Sequence, residues 1–252
     1  MSFDLAPQTA YAFMLVFSRI GTMVMLMPAL GEINVSTRIR LTLAVLLSLV
    51  LMPMVAGAYG AIPPTFAGVA WSIMTEIFVG LFVGATARLI MSALQVAGTV
   101  IAFQTGLAFA QNVDPTQGIQ SALVGTFLSL LAVTMIFATD LHFLLIAAMC
   151  DSYVLFEPGN MLPLGDFVES ATGIVAGAFR LGVQIAAPFL VFGLTFYLAL
   201  GILSKLMPQV QIFFVAMPAN ILLGFALLAV LMGALMMWFL TFFEETMGQF
   251  LA

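Results

Sequence analysis

The chain has 252 residues, of which 63% are hydrophobic and only 7% are charged. Soluble domains carry about 25% charged residues, so this composition excludes a soluble globular enzyme, a disordered chain, collagen and a coiled coil. It predicts an all-α integral membrane protein. Apolar runs of twenty residues and more, without strand-like alternation, are typical of membrane helices and disfavour a transmembrane β-barrel.

The small set of polar residues limits the possible chemistry. The net charge is -5 and no basic cluster exists, so the chain lacks the positively charged surface with which proteins bind nucleic acid. The single cysteine, Cys150, excludes an intrachain disulfide, a cysteine zinc site and an iron–sulfur cluster, and the single histidine, His142, excludes bis-histidine haem ligation within one chain. No metalloprotease, nucleophile-elbow or phosphate-loop motif is present. We therefore expect no catalytic residues, no cofactor, no metal and no enzymatic activity.

Six apolar runs are long enough to cross a membrane, which takes about 20 residues. They cover residues 10–30, 39–59, 65–92, 119–150, 171–204 and 210–241. Turn-forming residues separate the runs near 31–34, 60–64, 157–160 and 207–208. The pattern predicts a single integral membrane domain over residues 1–252, with about six long hydrophobic helices, some kinked or broken.

Basic residues indicate the orientation, because cytoplasmic loops carry an excess of Lys and Arg. Arg38 and Arg40 lie between runs 1 and 2, Arg88 lies near the end of run 3, and Lys205 lies between runs 5 and 6. With these on the cytoplasmic side, both termini are predicted to be non-cytoplasmic. No Lys or Arg precedes the first run, which therefore lacks the basic region of a cleaved signal peptide and is expected to be a retained helix.

Two features do not fit six simple spans. The runs 119–150 and 171–204 would be about 48–51 Å long as continuous helices, against a hydrocarbon core of about 30 Å. Each is expected either to break or to project beyond the bilayer. Residues 93–118 are apolar but interrupted by Gln, Gly, Asn, Asp and Pro. Irregular backbone of that kind is tolerated at membrane depth only inside protein or beside a water-filled cavity.

Charged residues inside the runs are costly, at about 2.5–3.5 kcal/mol each near a helix centre. We expect the five that lie in or near the runs to face a protein interior, a conduit or another subunit; the ordinary alternatives are snorkelling and structural ion pairs. These residues are Arg19, Glu76, Arg88, Asp140 and Arg180.

Small residues four apart indicate close helix packing. They occur at 80–84 and at 173–177, and the first pair belongs to a row that runs from Glu76 to Arg88 on one helix face. Pro188 and Pro218 lie inside runs 5 and 6 and predict kinks. We interpret these features as membrane packing in preference to chemistry.

Several sequence blocks resemble FliR, the R subunit of the flagellar type III export gate, and its counterparts in virulence secretion systems. The resemblance follows most of the chain, and the blocks 103–115 and 204–224 are the most specific. In order, the similar residues are Phe17-Ser-Arg-Ile-Gly21, Met27-Pro28, Val35-Ser-Thr-Arg38, Phe103-Gln-Thr-Gly-Leu-Ala-Phe-Ala110, Asp114-Pro115, Asp140-Leu-His142, Ser204-Lys-Leu-Met-Pro-Gln-Val-Gln-Ile-Phe-Phe-Val215, Pro218 and Gly224. The chain departs from the family pattern at Leu141, Lys205 and Gln211, where Gly, Arg and Asn are more usual.

The resemblance implies a non-enzymatic pore subunit in a helical hetero-oligomeric gate. It implies FliP-like and FliQ-like gate subunits, an FlhB-like switch subunit and an FlhA-like export subunit as partners, with membrane lipid around the gate. Unfolded flagellar proteins would pass through the conduit. The expected location is the bacterial inner membrane within the flagellar basal body, with much of the gate above the membrane plane.

The resemblance also implies two functional segments. Residues 106–120 match a plug that closes the conduit, and its candidate residues are Gly106, Phe109, Gln111, Asp114, Pro115 and Gly118. The hairpin at 205–214 matches the cytoplasmic entrance, where the switch subunit would dock. Its candidate residues are Lys205, Pro208, Gln209, Phe213 and Phe214.

The alternative interpretation is an ion- or solute-coupled secondary transporter. Arg19, Glu76, Asp140 and Arg180 would then lie along the transport path. An inverted repeat would favour that interpretation, and the sequence contains none that we recognise. An intramembrane enzyme lacks any catalytic constellation.

Overall fold

A computed structural model of the protein describes residues 5–32, 35–108, 123–160, 164–207 and 212–251. Within these ranges the secondary structure is helical, without strands, which confirms the predicted all-α membrane fold. A 3₁₀ turn, Ala56–Ala58, follows the second helix. The α-helices are α1 Leu5–Leu26, α2 Thr37–Val55, α3 Phe66–Gln104, α4 Leu123–Ala138, α5 His142–Leu155, α6 Leu164–Leu206 and α7 Ile212–Gly248.

Five of these helices, α1, α2, α3, α6 and α7, are long and apolar enough to cross a membrane. The helices α4 and α5 pass the same test together, although they meet at an angle of 77°. The described part of the chain thus contains five candidate spans, or six when the bent pair is one span. It is a multi-pass membrane architecture.

The long fourth run breaks in its middle. Asp140 separates α4 from α5 with a backbone φ of 61°, in the left-handed region that few non-glycine residues adopt. Its carbonyl oxygen accepts a hydrogen bond from the Phe143 N–H at 3.0 Å, which closes a tight turn. The excess length is therefore accommodated by a bend between two shorter helices.

The long fifth run stays helical. Helix α6 continues for 43 residues and includes Pro188. At a rise of 1.5 Å per residue, a helix of that length follows a path of about 64 Å, roughly twice the hydrocarbon thickness. Of the two outcomes expected for an overlong run, α4 and α5 illustrate the break and α6 has the length to project beyond a bilayer.

Helix α3 extends further than the apolar pattern indicates. The composition of residues 93–104 predicts an irregular segment, but they continue α3 without a break. Their polar side chains find partners within the fold: the Gln95 amide Nε2 donates to Ser129 Oγ at 2.8 Å. Gly98 lies against the backbone of Gly125 in α4, so closely that a Cβ at Gly98 would overlap it. Tertiary partners therefore allow a helix where the composition indicated an interruption.

The chain folds into two compact units, each assembled from separate stretches of sequence. Unit 1 comprises Met1–Ile90, Ile136–Val175 and Phe243–Ala252. In it α1 packs closely on α3, because a Cβ at Gly80 would overlap the Arg19 carbonyl oxygen and the Thr22 hydroxyl. Fully buried apolar side chains of unit 1 include Val16, Ile20, Met23, Val24, Val83 and Phe243.

Unit 2 comprises Met91–Met135 and Ala176–Phe242. It contains most of α4 and of α7, the last part of α3 and the later part of α6. Its fully buried apolar side chains include Leu94, Ala97, Leu128, Ile185, Phe189 and Phe239.

The small-residue pair of α6 is loosely surrounded. A Cβ added at Gly173 would have no neighbour within 4 Å, whereas one added at Gly177 would lie 3.1 Å from the Phe242 ring. The pair at 80–84 is the more tightly packed of the two, because Cβ atoms at both of its glycines would meet α1 at 3.0 Å or less. Close helix packing, which both spacings predict, is thus much stronger at the first pair.

Candidate functional site

Unit 1 contains a buried ion pair between α1 and α3. Arg19 Nε lies 2.5 Å from Glu76 Oε2, and Arg19 Nη2 donates to Glu76 Oε1 at 3.1 Å. The two side chains are only 1% and 3% exposed. Two parallel N–H···O bonds make this a bidentate guanidinium–carboxylate pair, the strongest and most directional form of such a contact.

The same guanidinium also binds the carboxyl end of α5. Arg19 Nη1 donates to the Ser152 carbonyl oxygen at 2.8 Å, and Nη2 donates to the Phe156 carbonyl oxygen at 3.0 Å. The last carbonyls of a helix lack intrahelical partners and carry partial negative charge. The Ser152 carbonyl already accepts from the Phe156 N–H, so the cation adds a second donor there, supplies a donor to the Phe156 carbonyl and interacts favourably with the helix dipole. One side chain thus joins α1, α3 and α5.

Two tyrosines complete the surroundings of the pair. Arg19 Cζ lies 4.3 Å from the centroid of the Tyr153 ring, a cation–π contact. Tyr59 meets Tyr153 edge to face, with ring centroids 6.5 Å apart. Both phenol oxygens are buried and meet no hydrogen-bond partner among the described residues. Burial raises the pKa of the Tyr59 phenol above its ordinary value, and the charge of Glu76 raises it further.

This arrangement is suited to holding helices together. Four donor contacts from Arg19 are already used within the chain, and both carboxylate oxygens of Glu76 accept from it. The sequence led us to expect these charges to face a protein interior, a conduit or another subunit, with structural ion pairs as the ordinary alternative; Arg19 and Glu76 are buried and form such a pair. Removing either partner would leave an uncompensated buried charge, which costs about 3–5 kcal/mol.

The other three charged residues singled out from the sequence lie on the surface of the chain. Arg88, Asp140 and Arg180 are all exposed. Along the face of α3 that runs from Glu76 to Arg88, Glu76 is therefore buried, Gly80 packs on α1, and Arg88 is exposed. Among the described residues no group of three or more His, Cys, Asp or Glu side chains could hold a metal ion.

The segment expected to act as a plug begins at the end of α3. Gly106 has a φ of +75°, and its N–H donates to the Phe103 carbonyl oxygen at 3.3 Å. A glycine in this left-handed conformation just after a helix is a common C-terminal stop. The other candidate plug residues lie outside the described residues: Phe109, Gln111, Asp114, Pro115 and Gly118.

The segment expected to form the entrance is described at its two ends. Lys205 lies in the last turn of α6 and is exposed. Phe213 and Phe214 lie in the first turn of α7. Pro208 and Gln209 lie outside the described residues.

Three residues of these sites were not singled out from the sequence. Tyr59 and Tyr153 surround the ion pair, and Asn220 of α7 donates from Nδ2 to the Gln104 carbonyl oxygen at 3.1 Å. Asn220 carried a usable signal, because a polar side chain inside an apolar run is costly unless it has a partner. The two tyrosines carried no such signal in the sequence, since aromatic residues are common in membrane proteins.

Comparison with known proteins identifies the family. Residues 10–246 match the family described as "Bacterial export proteins, family 1". The "Flagellar biosynthetic protein FliR" of Caulobacter vibrioides is 45% identical over 229 residues, which cover 90% of this chain and 91% of that protein. The chain belongs to this family, the FliR family of bacterial export proteins.

More distant relatives extend the comparison across bacteria. The FliR protein of Bacillus subtilis is 29% identical over 252 residues, covering 96% of this chain and 95% of that protein. The "Yop proteins translocation protein T" of Yersinia pestis is 26% identical over 157 residues, covering 62% of this chain and 60% of that protein. The FliR-family similarity thus covers nearly the whole described fold, including both ends of the Arg19–Glu76 pair.

Proposed function

We propose that this chain is a structural pore subunit of the flagellar type III protein export gate. Together with FliP-like and FliQ-like subunits it would form the conduit by which unfolded flagellar proteins cross the inner membrane. The observation that carries the proposal is the 45% identity to a flagellar FliR protein over 90% of the chain. The match with a translocation protein of Yersinia pestis supports the wider class of type III export components.

The distribution of buried surface supports assembly with other chains. In the apolar windows of α2, α6 and α7, only 22% of the residues are buried within the chain, against 56% in α3. The uncovered faces carry large apolar side chains, such as Val50 and Met54 on α2 and Val230 on α7, which are 69–81% exposed. Lipid can cover such surfaces on a span of ordinary length. The length of α6, 43 residues, exceeds the thickness of a bilayer and supports protein partners along part of this helix.

Two segments would perform the gating within this proposal. Residues 106–120 would close the conduit at rest, with the chain leaving α3 at Gly106. The hairpin at 205–214 would form the cytoplasmic entrance and would dock an FlhB-like switch subunit, with an FlhA-like export subunit nearby. The exposed charges Arg88, Asp140 and Arg180 would contact neighbouring subunits. The orientation would place both termini on the non-cytoplasmic side, within one membrane domain.

The transporter alternative receives no support from the charge placement. It required Arg19 and Glu76 in an ion or substrate path, but both are engaged with each other and with α5. A mobile ion would have to replace a bidentate contact that is nearly inaccessible to solvent. Asp140 and Arg180 remain as exposed charges on the chain surface.

Deletion of residues 106–118 tests the proposed closing role. Cells that assemble the gate with this deletion should become leaky to ions, because the conduit loses the segment that closes it. Membrane permeability can be followed by a potential-sensitive dye, with gate assembly checked by co-purification of the unlike subunits. Unchanged ion permeability in an assembled deletion gate would count against the plug.

A second experiment tests the subunit assignment itself. A deletion strain should lose motility and flagellin secretion, and the tagged chain should co-purify with unlike membrane partners. If the purified chain alone instead catalysed solute transport in liposomes, the transporter alternative would replace the proposal.

A further inference from the structure

The end of α3 is held by residues of α6 and α7 within unit 2. The side chain of Thr105 is 1% exposed, and a Cβ at Gly224 of α7 would overlap it. A Cβ at Gly193 of α6 would likewise overlap the Gln104 side-chain amide. Both helices therefore approach the last residues of α3 to a distance that only glycine allows.

Asn220 supplies the polar contact at this end. The residue is 3% exposed, and its Nδ2 donates to the Gln104 carbonyl oxygen, one of the carbonyls that the end of α3 leaves without an intrahelical partner. The same Nδ2 lies close to the turn, because a Cβ on Gly106 would stand 3.3 Å from it. Asn220 thus contacts the last turn of α3 and the left-handed residue after it.

We propose that Asn220 is a positioning residue that fixes the end of α3 and the direction in which the chain leaves it at Gly106. An asparagine side chain in an otherwise apolar helix is costly unless its amide is paired. Here Nδ2 pairs with a carbonyl that needs a donor, while Oδ1 is buried and has no hydrogen-bond partner among the described residues. The left-handed φ of +75° at Gly106 is the conformation that follows from this anchored end. The functional part of the inference rests on the proposed closing role of residues 106–120: loosening the anchor would weaken closure of the resting conduit.

The structural part is tested by hydrogen–deuterium exchange in the assembled gate. The variants Asn220→Leu, which has nearly the same shape but no hydrogen-bonding group, and Asn220→Ala, which lacks the side chain beyond Cβ, both remove the donor. We expect the amides of Thr105 and Gly106, which donate to Ile101 and Phe103, to exchange about tenfold faster in both variants. Asn160→Leu, on the surface of unit 1, is the matched control and should leave exchange at 101–108 unchanged.

Two further measurements distinguish a local effect at the end of α3 from a general loss of stability. Protection of the α1 core, residues 15–24, should stay at its wild-type level in both Asn220 variants. Gly106→Ala should reproduce the faster exchange, because alanine is strained at a φ of +75°, whereas Gly201→Ala, in open space on α6, should not. Normal protection in Asn220→Leu with loss only in Asn220→Ala would mean that the volume of the side chain alone matters, and would overturn the inference.

The functional part is tested by ion permeability in the same strains. Asn220→Leu and Gly106→Ala should raise the leak toward the value of the 106–118 deletion. If the deletion leaks but the point variants do not, although exchange is faster, the coupling of Asn220 to closure is refuted. If exchange is faster and the deletion itself fails to leak, the proposed plug fails, while the anchoring of α3 by Asn220 stands.

Discussion

The Arg19–Glu76 pair allows a quantitative test of how unit 1 is held together. In Glu76→Gln the Arg19 guanidinium stays buried but no longer faces a negatively charged carboxylate. It keeps its hydrogen bonds to the Ser152 and Phe156 carbonyls and its contact with the Tyr153 ring. Breaking a buried pair in this way costs about 3–5 kcal/mol. Because glutamine keeps one acceptor oxygen and the carbonyls remain, we expect the lower end, about 3 kcal/mol, or about 150-fold in the folded-to-unfolded ratio.

Replacing both charges should cost less than the sum of the single changes. In the double variant Arg19→Met, Glu76→Met no buried charge remains, and the Ser152 carbonyl still accepts from the Phe156 N–H at 3.0 Å. The main loss is the bond to the Phe156 carbonyl, about 1–2 kcal/mol. Arg19→Met alone leaves the Glu76 carboxylate buried and should cost as much as Glu76→Gln. The double variant should therefore be more stable than either single variant.

Thermal melting of the purified chain in detergent, followed by tryptophan fluorescence, measures these differences. At about 2–4 °C per kcal/mol for a chain of this size, Glu76→Gln should lower the Tm by about 6–12 °C. The exposed Arg180→Met is the matched control and should change the Tm by less than about 2 °C, since exposed substitutions lie within about 0.5 kcal/mol. Additive single and double changes, or a Glu76→Gln variant that melts like the wild type, would refute the pairing argument.

Further predictions concern packing and pH. Gly80→Val should reduce stability by about 1–3 kcal/mol, because a side chain there collides with the Arg19 carbonyl and Thr22. Gly173→Val, where the added side chain would lie in open space, should not reduce stability. Thermal melting of both variants compares them directly. Tyr59→Phe should increase stability slightly at neutral pH, because it removes a buried hydroxyl without a partner among the described residues. Burial raises the pKa of the Tyr59 phenol in the folded state. Above about pH 10 the unfolded chain therefore releases the phenol proton while the folded chain retains it, and the stability of the wild type falls as the pH rises. Tyr59→Phe should show a shallower alkaline loss in melting curves from about pH 8 to 11, on either side of the ordinary tyrosine pKa, and parallel curves would contradict that linkage.

Composition and the lengths of the apolar runs were sufficient to predict the architecture of this chain. Helix ends at Leu26, Val55 and Leu155 precede turn residues visible in the sequence. The break at Asp140 had a weaker signal, because neither proline nor glycine stands there and only the excess length of the run indicated it. Such a bend depends on tertiary packing, which local residue preference does not encode.

The candidate sites were less predictable. The cost of burying Arg19 and Glu76 showed that each needed a partner, but not that they would pair with each other. Their separation of 57 residues is set by how α1 packs on α3. Helix α3 continues past residue 92 because Ser129, Gly125 and Asn220 stand beside it, and none of these neighbours is recognisable from the residues of α3 alone.

The position of Arg19 near the start of the chain also constrains its biosynthesis. Its partners follow 57, 133 and 137 residues later, at Glu76, Ser152 and Phe156. When α1 enters the translocon, the ribosome has therefore not yet translated these partners, and the Arg19 guanidinium is unpaired. Its carboxylate partner becomes available once α3 has been translated, and its two carbonyl partners only once α5 has followed. A nascent chain stopped between α3 and α5 would therefore hold the ion pair without the two carbonyl contacts that join α1 to α5.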